Sequence, residues 1–244
     1  MNIVVSQPFF LPWVGLFEQM RLADVFVHYD DVQMPMGKNF CNRVQIKTRN
    51  GSQWLTIPIQ HQGKVARINE IKISHAEDWK TKHIATIKNH YSDTPFYTEL
   101  MDVLGAIYAS PASLLSDFTI HSLEIIADYL EMNRTWVRSS DMNIPGKSTQ
   151  RLVDICRRFH ASAYITGLGA LNYINYELFE ENNIALRYMD YQKQPYPQLH
   201  GEFTPFVSII DLIANCGKEG KKYVCSNSVY WKDYIQGGYA YEQN

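Results

Sequence analysis

Two adjacent carboxylates, Asp30 and Asp31, follow a short apolar segment near the start of the chain. That segment, residues 24–29, is almost continuously apolar, which is typical of a buried strand in a parallel sheet. Ligands of parallel sheets bind beyond the carboxyl ends of the strands, where a carboxylate can act as a general base. Because neighbouring strand residues point to opposite faces, we expect one of the two to enter a site. The alternative is a solvated strand end or a turn cap.

A second group of polar residues, Asn39, Asn42 and Arg43, follows closely. Two amides and a guanidinium suit sugar hydroxyls or a phosphate, because arginine binds phosphate in a bidentate manner. Cys41 lies among them, but a nucleophilic thiol needs a lowered pKa and a nearby base, and the sequence indicates neither. We therefore predict that Asn39, Asn42 and Arg43 contact a substrate and that Cys41 does not react.

The turn after the first apolar strand contains Gln7, Pro8 and Pro12 and leads into a predicted helix. The free amides of a helix N-terminus favour an anion, so we predict substrate contacts for these three residues. The layout resembles the opening of HIGH-type nucleotidyltransferases, in which two histidines flank a glycine. Phe10 and Trp13 stand at the histidine positions, which argues against adenylyl transfer but not against nucleotide binding. The alternative is a turn that only anchors the helix.

Histidines are candidates for metal binding or proton transfer. His83 and His90 are seven residues apart on one predicted helix, whereas helical metal ligands are more often three or four apart. We predict no metal, and we interpret His90 as a packing or surface residue. His83, in an unusual cluster with Trp79 and Lys82, is our second candidate after Asp30 for taking a proton from an acceptor amine.

Two short motifs in the second half of the chain could bind an anion. Gly167 begins a G-x-G after a predicted strand, which is weak evidence for phosphate binding but permits close backbone approach. Lys147 precedes a predicted helix and is a second anion contact, with capping by Ser148 as the alternative. We add Tyr173, in the segment after the G-x-G, to the predicted substrate contacts.

The elements that position these residues alternate between strand and helix, which predicts an α/β fold with a mainly parallel, Rossmann-like sheet similar to HUP nucleotidyltransferases. We treat residues 1–244 as a single domain with an antiparallel β insertion at 32–76 and a helical subdomain at 77–134. Asn50-Gly51 predicts a hairpin within the insertion. Further predicted strands are 68–73, 136–139, 163–166 and 184–189, and further predicted helices are 82–91, 96–107, 114–132, 148–160, 176–182 and 206–215.

Composition narrows the function classes. The formal net charge is −2, which gives no basic excess for a nucleic-acid partner. No segment approaches the roughly 20 apolar residues that span a bilayer, so we expect no membrane insertion. The four scattered cysteines and the absence of a secretory signal indicate free thiols in a reducing cytoplasm. The oligomeric state stays open, with a homo-oligomer as one alternative.

A late polar segment, Tyr196-Pro197-Gln198, precedes an apolar run that contains Asp211. We predict substrate contacts for Tyr196 and Gln198. Asp211 lies among apolar residues in a predicted buried helix, where a carboxylate needs hydrogen-bond partners. We therefore expect Asp211 to serve the structure.

Several of these motifs occur together, in order, over nearly the whole chain, and the sequence resembles the WbqC-like proteins. The matching motifs are Gln7-Pro8 with Pro12 and Gly15, residues 24–33, Asn42-Arg43, Tyr196-Pro197-Gln198, and Ser208 with Asp211 and Gly217. The resemblance implies a place in bacterial gene clusters for O-antigen, the lipopolysaccharide side chain, or for other surface polysaccharides. The resemblance therefore implies the pathway in which the protein acts, but it does not specify the reaction.

Absent motifs narrow the reaction. The sequence has no D-x-D of common nucleotide-sugar glycosyltransferases, no G-x-G-x-x-G after its first strand and no G-x-S-x-G elbow. Decoration of an amino sugar remains, so our lead hypothesis is a transferase that moves an acyl or aminoacyl group from an activated donor onto a nucleotide-linked amino sugar. The sequence identifies no cofactor. The alternatives are a non-catalytic module that binds a sugar nucleotide or a partner, and a diverged nucleotidyltransferase or ATP-dependent ligase.

Overall fold

The computed structural model describes residues 1–35, 37, 39–60 and 66–237. The strands in this part of the chain are β1 (Asn2–Ser6), β2 (Val25–His28), β3 (Arg43–Thr48), β4 (Gly51–Thr56), β5 (Thr135–Arg138), β6 (Ala163–Thr166), β7 (Ala185–Asp190) and β8 (Asn227–Tyr230). The helices are α1 (Val14–Leu22), α2 (Trp79–Tyr91), α3 (Tyr97–Tyr108), α4 (Leu115–Tyr129), α5 (Ser139–Met142), α6 (Ser148–Arg158), α7 (Tyr176–Glu181), α8 (Ile209–Cys216) and α9 (Trp231–Gln236). None of the helices in the described ranges is long and apolar enough to cross a bilayer.

The described strands form a six-stranded sheet in the order β5-β2-β1-β6-β7-β8. The first five are parallel, and β8 is antiparallel to β7. Counted along the chain, the parallel strands have the order 3-2-1-4-5 of a Rossmann-like sheet, which confirms the predicted α/β class. The direction of strand addition reverses between β1 and β6, and the carboxyl ends at such a point are where ligands of open α/β sheets bind.

The alternation of side chains along the central strands divides the apolar residues between two cores. Val4 of β1 joins the larger core, while its neighbours Ile3 and Val5 join the smaller one. Helices α1, α3, α4 and α8 supply apolar residues to the larger core, and α6, α7 and α9 supply the smaller one. Both faces of the sheet are therefore covered, as expected for a parallel sheet.

Strands β3 and β4 form the predicted hairpin as a separate two-stranded sheet. Gly51, directly after the turn, has a φ of +103°, a conformation that glycine adopts without steric cost. Val44, Ile46 and Leu55 are buried in the larger core. Trp54 lies on the opposite, solvent-facing side of the hairpin.

The predicted strand at 68–73 is wrong. Residues Ile68–Glu70 form a single 3-10 turn instead. The Glu70 N–H donates to the Arg67 carbonyl, and the Arg67 N–H donates to the Glu70 carboxylate, so these backbone groups are used within the turn. Helices α5 and α9 and strand β8 were not predicted; they are short elements of four to six residues.

Candidate functional site

A cleft of about 1020 Å³ opens at the carboxyl edge of the sheet, where β1, β2 and β6 end side by side. This volume is at the upper end of the range for small-molecule sites. Five of the predicted site residues line the cleft: Gln7, Asp31, Lys147, Gly167 and Tyr173. They come from five separate places in the sequence and meet because the parallel strands end at one edge.

The N-terminus of α6 forms one wall of the cleft. Lys147 is the N-cap residue, and its side chain makes no capping hydrogen bond. Lys147 is exposed and has no ion-pair partner among the described residues. Gly146 before it has a φ of +98°, a backbone conformation that favours glycine. The helix dipole and the lysine place positive charge at the same wall.

An ion pair between the buried Arg151 and the partly buried Asp31 lies in the cleft lining beside this wall. The Arg151 guanidinium donates to the Asp31 carboxylate over 2.5 Å and to the Ile144 carbonyl over 3.0 Å. It also lies 5.0 Å from the centre of the Tyr29 ring. Burial acts to raise the pKa of Asp31, but hydrogen bonds from Arg151 and Ser139 outweigh it and hold the pKa below its usual range. Asp31 is therefore ionised, and Arg151 neutralises its charge.

Asp30 turns away from the cleft, so of the two adjacent carboxylates Asp31 is the one at the site. The buried Asp30 carboxylate accepts hydrogen bonds from the Ser140 N–H at 3.0 Å and the Ser140 hydroxyl at 2.8 Å, and the Ser139 hydroxyl lies 3.1 Å away. These contacts tie the end of β2 to the start of α5. The geometry makes Asp30 an anchor between two elements.

His83, the other residue predicted to take a proton, is buried outside the cleft on α2. Its Nε2 lies 3.1 Å from the Thr56 carbonyl, and its Nδ1 lies 3.0 Å from the Tyr108 hydroxyl. Since a carbonyl only accepts, Nε2 carries the hydrogen and Nδ1 accepts from Tyr108. Burial lowers the pKa of His83 to about 4, although the Thr56 contact opposes the shift. The imidazole is therefore neutral and both nitrogens are occupied.

Asn39, Asn42 and Arg43, which we predicted to contact a substrate, instead make hydrogen bonds with residues that flank the β3–β4 hairpin. The Asn42 amide donates to the Ile57 carbonyl over 3.0 Å. The Arg43 guanidinium donates to the Asn39 carbonyl over 3.2 Å and lies 4.8 Å from the centre of the Trp54 ring. These three residues do not line the cleft.

Helix α1 follows Pro12, and we expected its N-terminus to bind an anion. In the structure this N-terminus is covered by the Trp13 side chain. The Trp13 ring lies over Gly15 so closely that a Cβ on this glycine would be 2.2 Å from a ring carbon. The Pro12 carbonyl accepts a hydrogen bond from the Ile209 N–H at 2.8 Å. Neither Pro12 nor the buried Pro8 lines the cleft, so the open helix N-terminus belongs to α6 and not to α1.

The late motif residues lie in a polar network away from the cleft. Lys47 donates to the Gln198 side chain over 2.9 Å, and the Tyr91 hydroxyl donates to Asp211 over 3.1 Å. Burial raises the pKa of Asp211 to about 6, with the hydrogen bond from Tyr91 opposing the shift. Tyr196 is buried in the larger core. The structure thus places Tyr196 and Gln198 in the packing around α8, outside the cleft lining.

Sequence reasoning missed Arg151, Tyr29 and Arg67, which all line the cleft. Arg151 offered a signal, because it lies four residues before Ile155 on the apolar face of a predicted helix. A charged residue on such a face needs a buried partner, and that partner is Asp31. Among the described residues, no group of three or more histidine, cysteine, aspartate or glutamate side chains is arranged to hold a metal ion.

Comparison with known proteins agrees with the resemblance of the motifs. The chain is 31% identical over 225 residues to "Uncharacterized protein Rv1507c" of Mycobacterium tuberculosis (strain ATCC 25618 / H37Rv), a match that covers 91% of this chain and 97% of that protein. No solved structure was found to match the chain. The model of the WbqC-like protein family matches residues 7–223, which include all the predicted site residues. The chain belongs to the WbqC-like protein family.

Proposed function

We propose that the protein binds a nucleotide-linked sugar in the cleft at the carboxyl edge of β1, β2 and β6. The observation that carries this proposal is a pair of cations in the cleft lining, Lys147 and Arg67, that have no ion-pair partner among the described residues. Such cations at a strand-order reversal, beside an uncapped helix N-terminus, suit a phosphorylated ligand.

The charge of the cleft favours a diphosphate bridge. Asp31 is neutralised by Arg151, so Lys147 and Arg67 supply the remaining positive charge. The diphosphate of a sugar nucleotide carries one negative charge on each phosphate and matches these two cations. A nucleoside triphosphate is more negative and would leave charge uncompensated. Tyr29 and Tyr173 add aromatic rings to the lining for contact with a base or sugar.

Thermal shift and calorimetry with a nucleotide panel test this proposal. We expect stabilisation by at least one of UDP-N-acetylglucosamine, dTDP-glucose and GDP-mannose, since a ligand that binds only the folded state raises its stability. Lys147→Ala removes a charge-assisted contact and should weaken binding about tenfold. The matched control is Lys88→Ala, an exposed lysine on α2 outside the cleft. Stabilisation by ATP and by none of the sugar nucleotides would refute the proposal and favour a diverged nucleotidyltransferase or ligase.

A second candidate function is transfer of an acyl or aminoacyl group to a nucleotide-linked amino sugar for surface-polysaccharide synthesis. The size of the cleft favours it, because about 1020 Å³ leaves room for a second reactant beside the nucleotide. Asp30 and His83 lie outside the cleft lining, so this reaction would not use them as bases. Mass spectrometry of a UDP-amino sugar incubated with protein and an acyl or aminoacyl donor tests the transfer. Binding without any mass increase would favour a non-catalytic module.

A further inference from the structure

Two exposed aromatic rings lie beside the cleft on the solvent-facing side of the hairpin approach. Phe40 is 44% exposed and Trp54 is 37% exposed, and their ring centroids are 6.0 Å apart. Phe9, which lines the cleft, contacts Phe40 with ring centroids 6.5 Å apart. The three rings therefore lead in succession from the cleft wall to the hairpin surface.

The position of Phe40 relative to the cleft is set by contacts to the turn after β1. The Phe10 N–H donates to the Phe40 carbonyl over 3.0 Å. The neighbouring Cys41 thiol lies 3.9 Å from the side-chain oxygen of Gln7, which lines the cleft. The segment that carries Phe40 is thus attached to the turn after β1, which contributes Gln7 to the cleft lining.

Trp54 is exposed because successive side chains of a strand point to opposite faces. Its neighbour Leu55 enters the larger core, so Trp54 points to the opposite face of β4. The Arg43 guanidinium lies over one face of the Trp54 ring, 4.8 Å from its centre, and Gln45 is the cross-strand partner of Trp54. The opposite face of the ring is the apolar surface for a ligand, and the guanidinium and amide beside it carry hydrogen-bond donors.

We infer that Phe40 and Trp54 form a stacking subsite for the pyranose ring of the sugar nucleotide bound in the cleft. The inference rests on the proposed function and names the place of the sugar within it. One face of a pyranose presents C–H groups that contact the ring face not covered by Arg43, while its hydroxyls reach the donors of Arg43 and Gln45. Continuity with the cleft through Phe9 favours this occupant.

The composition of β4 argues against a protein partner on this surface. A stable protein interface buries about 800 Å² on each side. Apart from Trp54, the exposed residues of β4 are Gly51 and the polar Ser52, Gln53 and Thr56, so the exposed apolar area in the described part of this surface amounts to the two rings of Phe40 and Trp54. An area of this size suits one sugar ring better than a folded partner.

Calorimetry with Trp54 variants tests the subsite. The probes are the tightest-binding sugar nucleotide among UDP-N-acetylglucosamine, dTDP-glucose and GDP-mannose, and its own nucleoside diphosphate. Trp54→Ala should weaken binding of the sugar nucleotide about 3- to 10-fold and leave the diphosphate within about 2-fold. Trp54→Phe keeps a ring and should retain most of the affinity. The matched control is Phe206→Ala, a 40% exposed ring that packs on Trp13 and does not line the cleft.

The outcomes separate this inference from the proposed function. If wild-type protein binds a sugar nucleotide and Trp54→Ala binds it equally well, the subsite is wrong and the cleft proposal stands. An equal loss of both probes, with an unchanged circular dichroism spectrum, would also overturn the subsite. If the wild type binds none of the sugar nucleotides, the proposed function fails and the subsite fails with it.

Discussion

A buried glutamate in α1 makes the stability of the protein depend on pH. The Glu18 side chain is completely buried, and neither carboxylate oxygen accepts a hydrogen bond of normal length and angle in the described part of the chain. Burial raises the pKa of Glu18 to about 7, and the approach of the Cys225 backbone and the charge of Arg21 oppose the shift only in part. Above pH 7 the folded protein must therefore hold a desolvated negative charge.

The size of the effect follows from the pKa difference between folded and unfolded states. The pKa rises from 4.5 to about 7, and each pKa unit corresponds to about 1.4 kcal/mol, so the difference is about 3 kcal/mol. Because the folded pKa is the higher one, folding takes up a proton between these values. This contribution to stability is complete below pH 4.5, falls as the pH rises to 7, and is lost above it.

Glu18→Gln removes this titration and keeps the shape of the side chain. We expect the free energy of unfolding of Glu18→Gln, minus that of the wild type, to rise by about 3 kcal/mol from pH 4.5 to pH 8. Urea denaturation at a series of pH values measures both proteins. The subtraction cancels the titrations of other buried groups, including His83 and Asp211, whose pKa values also differ from their usual ones.

A difference that stays constant across this pH range would refute the reasoning, because it would mean that the Glu18 carboxylate is solvated or paired. The matched control is Glu181→Gln, which changes an exposed glutamate at the end of α7. A slope of equal size in both variants would assign the effect to the loss of one negative charge and not to burial.

Two further predictions concern the cleft and the cysteines. Asp31→Asn leaves the buried Arg151 guanidinium without its counter-ion and should destabilise the protein by about 3 kcal/mol in urea denaturation; an unchanged midpoint would mean that the ion pair is replaceable by water. Burial raises the pKa of the Cys41 thiol to about 12, so iodoacetamide at pH 8 should alkylate the exposed Cys225 and leave Cys41 unmodified. Peptide mass spectrometry reports both sites, and rapid labelling of Cys41 in folded protein would contradict the burial argument.

Local sequence patterns were sufficient to predict most elements. The Asn50-Gly51 turn predicted the β3–β4 hairpin, and apolar runs predicted β6 at its observed bounds, Ala163–Thr166. These elements depend on the properties of neighbouring residues, such as turn conformation and apolar periodicity. The prediction of a strand at 68–73 was wrong because a hydrogen bond between Glu70 and Arg67 stabilises a turn, and the spacing of apolar residues does not indicate this bond.

The candidate site also contains features that local sequence predicts and features that depend on contacts between distant residues. Gln7, Asp31 and Gly167 could be expected at one edge, because the carboxyl ends of parallel strands meet there. Their role as substrate contacts stays a prediction. Conversely, nothing in the local sequence indicates that Trp13 closes the N-terminus of α1 or that Tyr108 and Thr56 occupy both nitrogens of His83.

The sequence by itself determined the α/β class, the cleft edge of the sheet and the family, because these follow from periodicity and motif order within short segments. Only the tertiary structure decided which of Asp30 and Asp31 enters the cleft, and that the open helix N-terminus belongs to α6. Both outcomes depend on partners far along the chain: Ser140 holds Asp30, and Arg151 holds Asp31. A side chain's direction is set by the contacts that satisfy its charge, and those contacts form only after the strands and helices have assembled.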